Sequence, residues 1–513
     1  MAEIPRIRSR LDQTESAFVI LKGVSQHVPA GSFMEEQQAP SGEAPKPAPK
    51  SKALWIVIAV VVVVVVVLVA AVLGGLFGPP EDRVLKIGTV LSITGGLSAF
   101  GPRNLLGVKL AVEEINAAGG VLGRPIQEFD QDDNTQPNTA RSAATTLVST
   151  NHVDAIIGAT GSGQCSTVVE VAKANGVYEI SGSCTSPKFS NLTLTGGWWG
   201  RTAPSDALQG VVAAFYAHTN LSLARAATVG INNAYGTGLS GVFATNFTRL
   251  GGTLTSGSPR FLTEVQNGAT DYTTDLEAVL DVAPAPQVLY VVAYPPDGIL
   301  LVKNFVQGQS THPGWSNVML LFSEGVFDQT GFLDALTTQG FDTSAFQGTA
   351  PSAYGGLTGP NYAGWAAKYN TRWGSNPGLF DDNNYDAAYL VALAAQVGGS
   401  ATGAAIKDNI QKVANPPGTK IYPGEWAKAL TEIAAGRDID YEGSSGSVNI
   451  DSFGDPFSGY VVWAVNSTGG AYNKEIFPES LVNSILPAPP MGALVAHEEL
   501  VSFASGLVAR TEA

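Results

Sequence analysis

Six short stretches of this chain bring small, polar and aromatic residues to places where a β-strand should end: ITGGLSAFG, GATGSGQ, SGSCTSP, NNAYGTG, AYPPDG and SEGVF. Within GATGSGQ, Gly161-Ser162-Gly163 falls between a strand and a helix, where free backbone N–H groups and the positive helix end favour an anion such as a carboxylate. The same residues also suit an ordinary glycine-rich strand-to-helix turn. Ser183 and Thr185, at the end of the next strand, offer hydroxyls to the same carboxylate cage. Glu324, closing MLLFSEG, has no cationic neighbour in sequence, and a carboxylate at the mouth of a cleft calls for an ammonium partner, which a ligand amine would supply. Phe100, Tyr235 and Tyr294 offer aromatic faces to an organic side chain or a cation, or else pack in the interior. Ser162, Thr185 and Glu324 together suit an α-amino acid or a close analogue.

Catalysis is not written into the same residues. Thr160, not Gly, stands two places before Ser162, so the nucleophile-elbow pattern is unmet. His27, His152, His218, His312 and His497 are scattered and show no base or metal pair. Asp132 and Asp133 read as a solvated strand-end loop, and Gly95-Gly96 lacks dinucleotide spacing. The expectation is a binding protein with no enzymatic activity, no cofactor and no metal.

The elements that must position these residues follow a clear cadence. From Val84, short β-branched runs alternate with helical stretches: VLKIGTV, LLGVKLAVEEINAAG, IQEFDQD, an Ala-rich helix, DAIIGAT, STVVEVAKANG and VYEISG. After Arg201-Thr202-Ala203 the cadence restarts with ALQGVVAAFYAHT and RAATVGIN, then QVLYVVAYP and NVMLLFSEG. Two α/β units in tandem, each with helices on a parallel sheet, are expected. Ligands in such sheets sit beyond the carboxyl ends of the strands, where two units can share a cleft.

With 513 residues, 44% hydrophobic and 14% charged, the chain has material for two lobes and appendages. Its net charge of -15 excludes nucleic acid as a partner, since phosphate binding needs a surplus of Lys and Arg. Leu54 to Phe77 carries no charge. At ~1.5 Å per residue its roughly 24 residues span about 36 Å, which predicts a transmembrane helix. A cleaved signal peptide would be shorter and start nearer the N-terminus. Lys46, Lys50 and Lys52 before it, against Glu81, Asp82, Arg83 and Lys86 after it, place the N-terminus in the cytoplasm and the bulk of the chain outside. Residues 1–37 form a cytoplasmic segment, 38–53 a Pro/Ala/Lys linker and 487–513 a C-terminal tail. Sequons at Asn191, Asn220, Asn246 and Asn466 permit glycosylation.

In order along the chain, IGTVLSITGGLSAFG, LLGVKLAVEEINAAGGVLGRPI, QDDNTQP, AIIGATGSGQ, ISGSCTSP, RTAPSD, AYGTG, SEGVF, YDAAYLVALA and VNIDSFGDPFSGYVVWAV resemble the leucine/isoleucine/valine-binding family. These are type I periplasmic binding proteins that feed ABC transporters. The resemblance covers about Val84 to Asn473. It implies a two-lobed α/β fold, each lobe a parallel sheet with helices on both faces, joined by three hinge crossings near 201–204, 348–352 and 446–451. Lobe 1 would be 84–203 and 352–447, and lobe 2 would be 204–351 and 448–478. Ser162 and Thr185, helped by the Ser183 backbone, would hold the ligand carboxylate, and Glu324 its ammonium. Phe100, Tyr235 and Tyr294 would close over it. Permease and ATPase subunits would be the partners of an importer; a sensory ectodomain acting through a separate signalling partner is the alternative. Cys165 and Cys184 flank the implied carboxylate site and are expected to bond to each other, an exported domain favouring oxidation, with two buried thiols as the alternative.

Overall fold

Three of the five strands of the first sheet run into polar stretches that the sequence singles out: ITGGLSAFG, GATGSGQ and SGSCTSP. In the computed structural model, which describes residues 84–351 and 359–487, this sheet runs β1 (Lys86–Leu91), β2 (Gln127–Asp132), β3 (Ala155–Gly158), β4 (Tyr178–Ser181) and β5 (Trp199–Arg201) in the spatial order β2-β1-β3-β4-β5, all parallel. Helices α1 (Gly101–Ala117), α2 (Pro137–Thr146) and α3 (Ser162–Ala174) are its crossovers. Its inner strands are buried on both faces, and side chains alternate between the two as the pleat requires. Ile87, Ile157 and Ile180 face α1, whereas Val90 and Ile156 face α2 and α3.

Helix α4 (Asp206–Phe215) leads into a second sheet, with helices α5 (Ala234–Arg249), α6 (Thr273–Leu280) and α7 (Pro295–Gly308) between its strands. Its strands are β6 (Arg225–Ile231), β7 (Thr253–Leu254), β8 (Arg260–Leu262), β9 (Val288–Val292), β10 (Met319–Phe322) and β11 (Gln347–Pro351). The chain then returns to the first sheet as α8 (Gly359–Trp373), α9 (Asp381–Gly398), α10 (Gly403–Ala414), β12 (Thr419–Ile421), α11 (Trp426–Ala434) and β13 (Ile439–Tyr441). Trp426 Nε1 donates to Gly120 O (3.1 Å) and anchors this return. Helix α9 lies so close to α1 that a Cβ on Gly107 would sit 2.2 Å from the carbonyl oxygen of Asp381. The last strands, β14 (Tyr460–Val465) and β15 (Ala471–Phe477), rejoin the second sheet.

Those last strands correct one expectation. β14 pairs antiparallel with β11, and β15 antiparallel with β14, so the second sheet is mixed. The five-residue turn between them is too short for a parallel return, which needs a crossover. Two further corrections concern single residues. Asp133 is buried, accepting hydrogen bonds from Ser92 Oγ (2.6 Å) and Thr135 N (2.8 Å), and only its neighbour Asp132 is exposed. Asn246 is also buried, on the core side of α5 with its Nδ2 donating to Val242 O (2.9 Å), so this sequon offers no acceptor in the folded protein.

All described residues belong to one compact unit. The expected transmembrane helix Leu54–Phe77, the segment 1–37, the linker 38–53, the tail from 488 onward and residues 352–358, which include the end of the second crossing at 352, lie outside the described residues. Among the described residues no single helix is long and apolar enough to cross a membrane.

Candidate ligand site

The seven residues expected to touch a ligand, Phe100, Ser162, Ser183, Thr185, Tyr235, Tyr294 and Glu324, all line one pocket at the carboxyl ends of both sheets. Leu97, Thr160, Gly161, Gly325, Leu379 and Phe380 complete its wall. The cavity measures about 30 Å³. At roughly 10–15 Å³ per water by this measure, it holds a few waters, and the lobes must part to admit an amino acid.

One wall presents donors. Helix α3 opens at Gly161 without a side-chain cap, and Gly161 O already accepts from Gln164 N and Cys165 N (both 3.0 Å). The first N–H groups of this 13-residue helix therefore face the pocket where an anion is favoured. Ser162 Oγ accepts from Ser186 N (3.2 Å), so its own proton is available to a ligand. Ser183 Oγ spends its proton on Thr160 O (2.9 Å), which leaves its backbone as the more useful contact. Cys165 and Cys184 are joined, Sγ to Sγ 2.00 Å, tying the first turn of α3 to the segment that carries Ser183 and Thr185.

The opposite wall is acidic and aromatic. Tyr235 and Tyr294 stack with their rings 4° from parallel and centroids 5.6 Å apart. Tyr235 OH donates to Ser323 Oγ (2.8 Å) and accepts from Gly325 N (3.1 Å). A Cβ on Gly325 would fall 2.7 Å from that hydroxyl, which is why the residue after Glu324 is glycine. Glu324 is 2% exposed, accepts from Gln209 Nε2 (2.5 Å), and burial pushes its carboxyl up to about 7. Tyr294 OH completes no hydrogen bond of normal geometry among the described residues, Asn233 standing near it, and lies 3.0 Å from where a Gly161 Cβ would stand. None of the described lining residues is Lys, Arg or His.

Sequence reasoning missed the residues behind these walls. Arg201, fully buried, reaches Asp455 Oδ1 through Nε (2.7 Å) and the carbonyls of Cys184 (3.1 Å) and Ser186 (3.0 Å) through Nη1, gripping Thr185 from both sides. Phe380 lines the pocket in the left-handed region (φ 67°), a costly conformation for an aromatic residue that Asn384 holds by donating to its carbonyl from N (3.0 Å) and Nδ2 (2.8 Å). Asp206 and Gln209 left one signal: polar residues three apart in a helix otherwise made of DALQGVVAAF, all but its last residue buried. At the cleft mouth Arg103 Nη2 meets Asp328 Oδ2 (2.6 Å), and Gln266 bonds Thr135 O (2.8 Å) and Gly96 N (3.2 Å).

Comparisons with known proteins agree with this geometry. A family model described as periplasmic binding protein matches residues 84–429. A chemotactic signal transduction system substrate-binding protein of Halobacterium salinarum is 27% identical over 396 residues, 75% of this chain and 88% of that protein. A Leu/Ile/Val-binding protein of Rhizobium johnstonii is 32% identical over 230 residues, 44% of this chain and 59% of that one. The crystal structure of a leucine-binding protein from Thermotoga maritima shares the fold with a TM-score of 0.62 at 24% identity, covering 77% of this chain and 99% of that one. The chain therefore belongs to the leucine/isoleucine/valine-binding family of type I periplasmic binding proteins, a family of substrate-binding proteins and not of enzymes.

Proposed function

We propose that this protein captures an α-amino acid, branched-chain or similar, or an amide analogue outside the cell and delivers it to an ABC importer through permease and ATPase subunits. The observation that carries the reading is the polarity of the pocket: the open N-terminus of α3 with the Ser162 hydroxyl on one wall, the uncompensated carboxyl of Glu324 on the other. A zwitterion fits both, its carboxylate toward the helix and its ammonium toward Glu324. The Leu/Ile/Val-binding relative supports an amino-acid ligand. Leu54 to Phe77 would tether the binding domain to the membrane with residues 1–37 in the cytoplasm.

The test is calorimetry against a panel of amino acids, amides, urea and amine-free carboxylic acids. Saturable binding is expected only where a carboxylate or amide is joined to a cationic or donor group. Glu324→Ala should weaken binding of the best amine by about 2–5 kcal/mol, the cost of an unpaired buried ammonium. Unchanged affinity in that variant removes Glu324 from the site.

A second reading, ligand sensing through a separate signalling partner, is favoured by the chemotactic relative, which matches over more of the chain than the Leu/Ile/Val-binding one. Import of labelled ligand by cells carrying neighbouring permease and ATPase genes separates the two.

A further inference from the structure

Behind the acidic wall of the pocket a second carboxylate has no partner of its own. Asp206, in the first turn of α4, is fully buried, and neither of its oxygens accepts a hydrogen bond of normal geometry. Thr185 Oγ1 leans toward it without completing one, and its backbone N–H is spent on Thr185 O (2.8 Å). The carboxyl of Glu324 is close enough for the two charges to act on each other. One turn along the same helix, Gln209 places its amide on Glu324.

Among the described residues no free cation answers the pair. Arg201 faces Asp206, but its Nε is held by Asp455, its Nη1 by two carbonyls and its Nη2 by Ser190 Oγ (3.3 Å), so its charge is already matched. Among the described residues the other titratable groups facing the two carboxyls are Tyr235, Tyr290, Tyr294 and Tyr460, and burial keeps each of these phenols neutral. Two carboxylates in so dry a place do not ionise together. Such a pair presents one charge at most until a cation arrives.

We propose that Asp206 and Glu324 act as one acid pair that retains a proton, Asp206 being the positioning residue that donates it toward the Glu324 anion, and that acidification adds a second proton and expels the ligand. This rests on the reading of the ligand as an amine. With the pair singly charged, a ligand ammonium is neutralised. With the pair doubly protonated, it faces two neutral acids and loses its partner. Burial first, and then the charge of Glu324, push Asp206 well above the ordinary range, while Glu324 itself stands at about 7; the acid limb of binding should therefore fall near neutrality. Asp206→Leu removes the donor and leaves the shape.

The experiment is calorimetric titration of the tightest amine from the panel between about pH 5.5 and 8.5, repeated in buffers of different ionisation heat. Affinity should be level above about pH 7.5 and fall about tenfold per pH unit below 7, with close to one proton released per ligand on that limb. Asp206→Leu should weaken binding by about tenfold at neutral pH and move the limb to higher pH, while Asp206→Asn, which keeps a donor, should recover part of the loss. Affinity independent of pH, an unmoved limb, or an Asn variant no better than the Leu variant overturns the proposal. A readout without ligand distinguishes this from failure of the amine reading. Infrared difference spectra of wild type minus Asp206→Asn at pH 8 should show a protonated-carboxyl C=O band, and its absence overturns the shared proton whether or not any amine binds.

Discussion

Arg201 sets the scale at which single residues matter here. It lies where the first sheet hands the chain to the second, and it fixes both carbonyls that flank Thr185 while pairing with Asp455 across a separation of 254 residues. Both charges are dry, so removing one leaves the other uncompensated. Arg201→Met should destabilise the protein by about 3–5 kcal/mol in denaturant unfolding, and Arg201→Lys should recover little because an ammonium cannot supply the planar fork. Residues of this kind were hard to read from sequence. Ser162, Thr185 and Glu324 stand at strand ends, where type and position jointly point to a cleft. Arg201 owes its importance to burial and to Asp455 far along the chain and leaves no local pattern, while Asp206 leaves only its spacing from Gln209 in an otherwise apolar helix. Asp133 shows the reverse error: an acidic run reads as solvated, yet its second carboxylate turns inward to Ser92.

Among elements, α3 carries most of the binding chemistry and the disulfide is what fixes its first turn. The cross-link spans 19 residues of sequence and joins that turn to the segment bearing Thr185, so it bridges the two halves of the carboxylate cage. A loop of this length restrains the unfolded chain by about 3 kcal/mol. The double variant Cys165→Ser, Cys184→Ser should lose stability of that order in chemical denaturation, and its ligand affinity should fall as the cage loosens. Stability equal to wild type would assign the bond no structural role. The parallel βαβ units around α3 were legible because hydrophobic period and loop polarity agree. The antiparallel β14 and β15 were not, since YVVWAV reads as a buried strand in either direction and only pairing with β11 sets its sense.

At the scale of the whole molecule, the closed cleft is held at its mouth by Arg103 with Asp328 and by Gln266 with Gly96 and Thr135. Arg103 is 30% exposed on its side chain, so water screens the pair and its contribution is modest. Asp328→Ala should weaken ligand binding less than tenfold and act mainly by speeding release, which stopped-flow displacement measures. A large loss would place Asp328 among the ligand contacts instead of at the rim.

The acidity of the interior makes a further prediction about stability. Glu324, Glu264 and Glu128 are raised to about 7, and Asp133 and Asp381 to about 6, burial being the largest cause in each. A carboxyl whose folded value lies above its unfolded value binds its proton more tightly when folded. Its contribution is complete below the unfolded value near 4 and is lost as pH rises through the folded value. The ligand-free protein should therefore melt at a higher temperature at about pH 5 than at pH 8, with most of the change between about 5 and 7. Asp130, Asp132 and Glu432, held below their ordinary values by hydrogen bonds from Lys109, Thr94 and Arg437, reverse the trend in stronger acid. Ligand changes the sign for Glu324 alone: a bound ammonium favours its ionised form, so the stabilisation conferred by ligand should grow from pH 5 to pH 8 while the intrinsic stability declines. Differential scanning calorimetry with and without ligand across that range reads both slopes at once. Parallel slopes would mean that the ligand does not engage Glu324, whatever the free protein does.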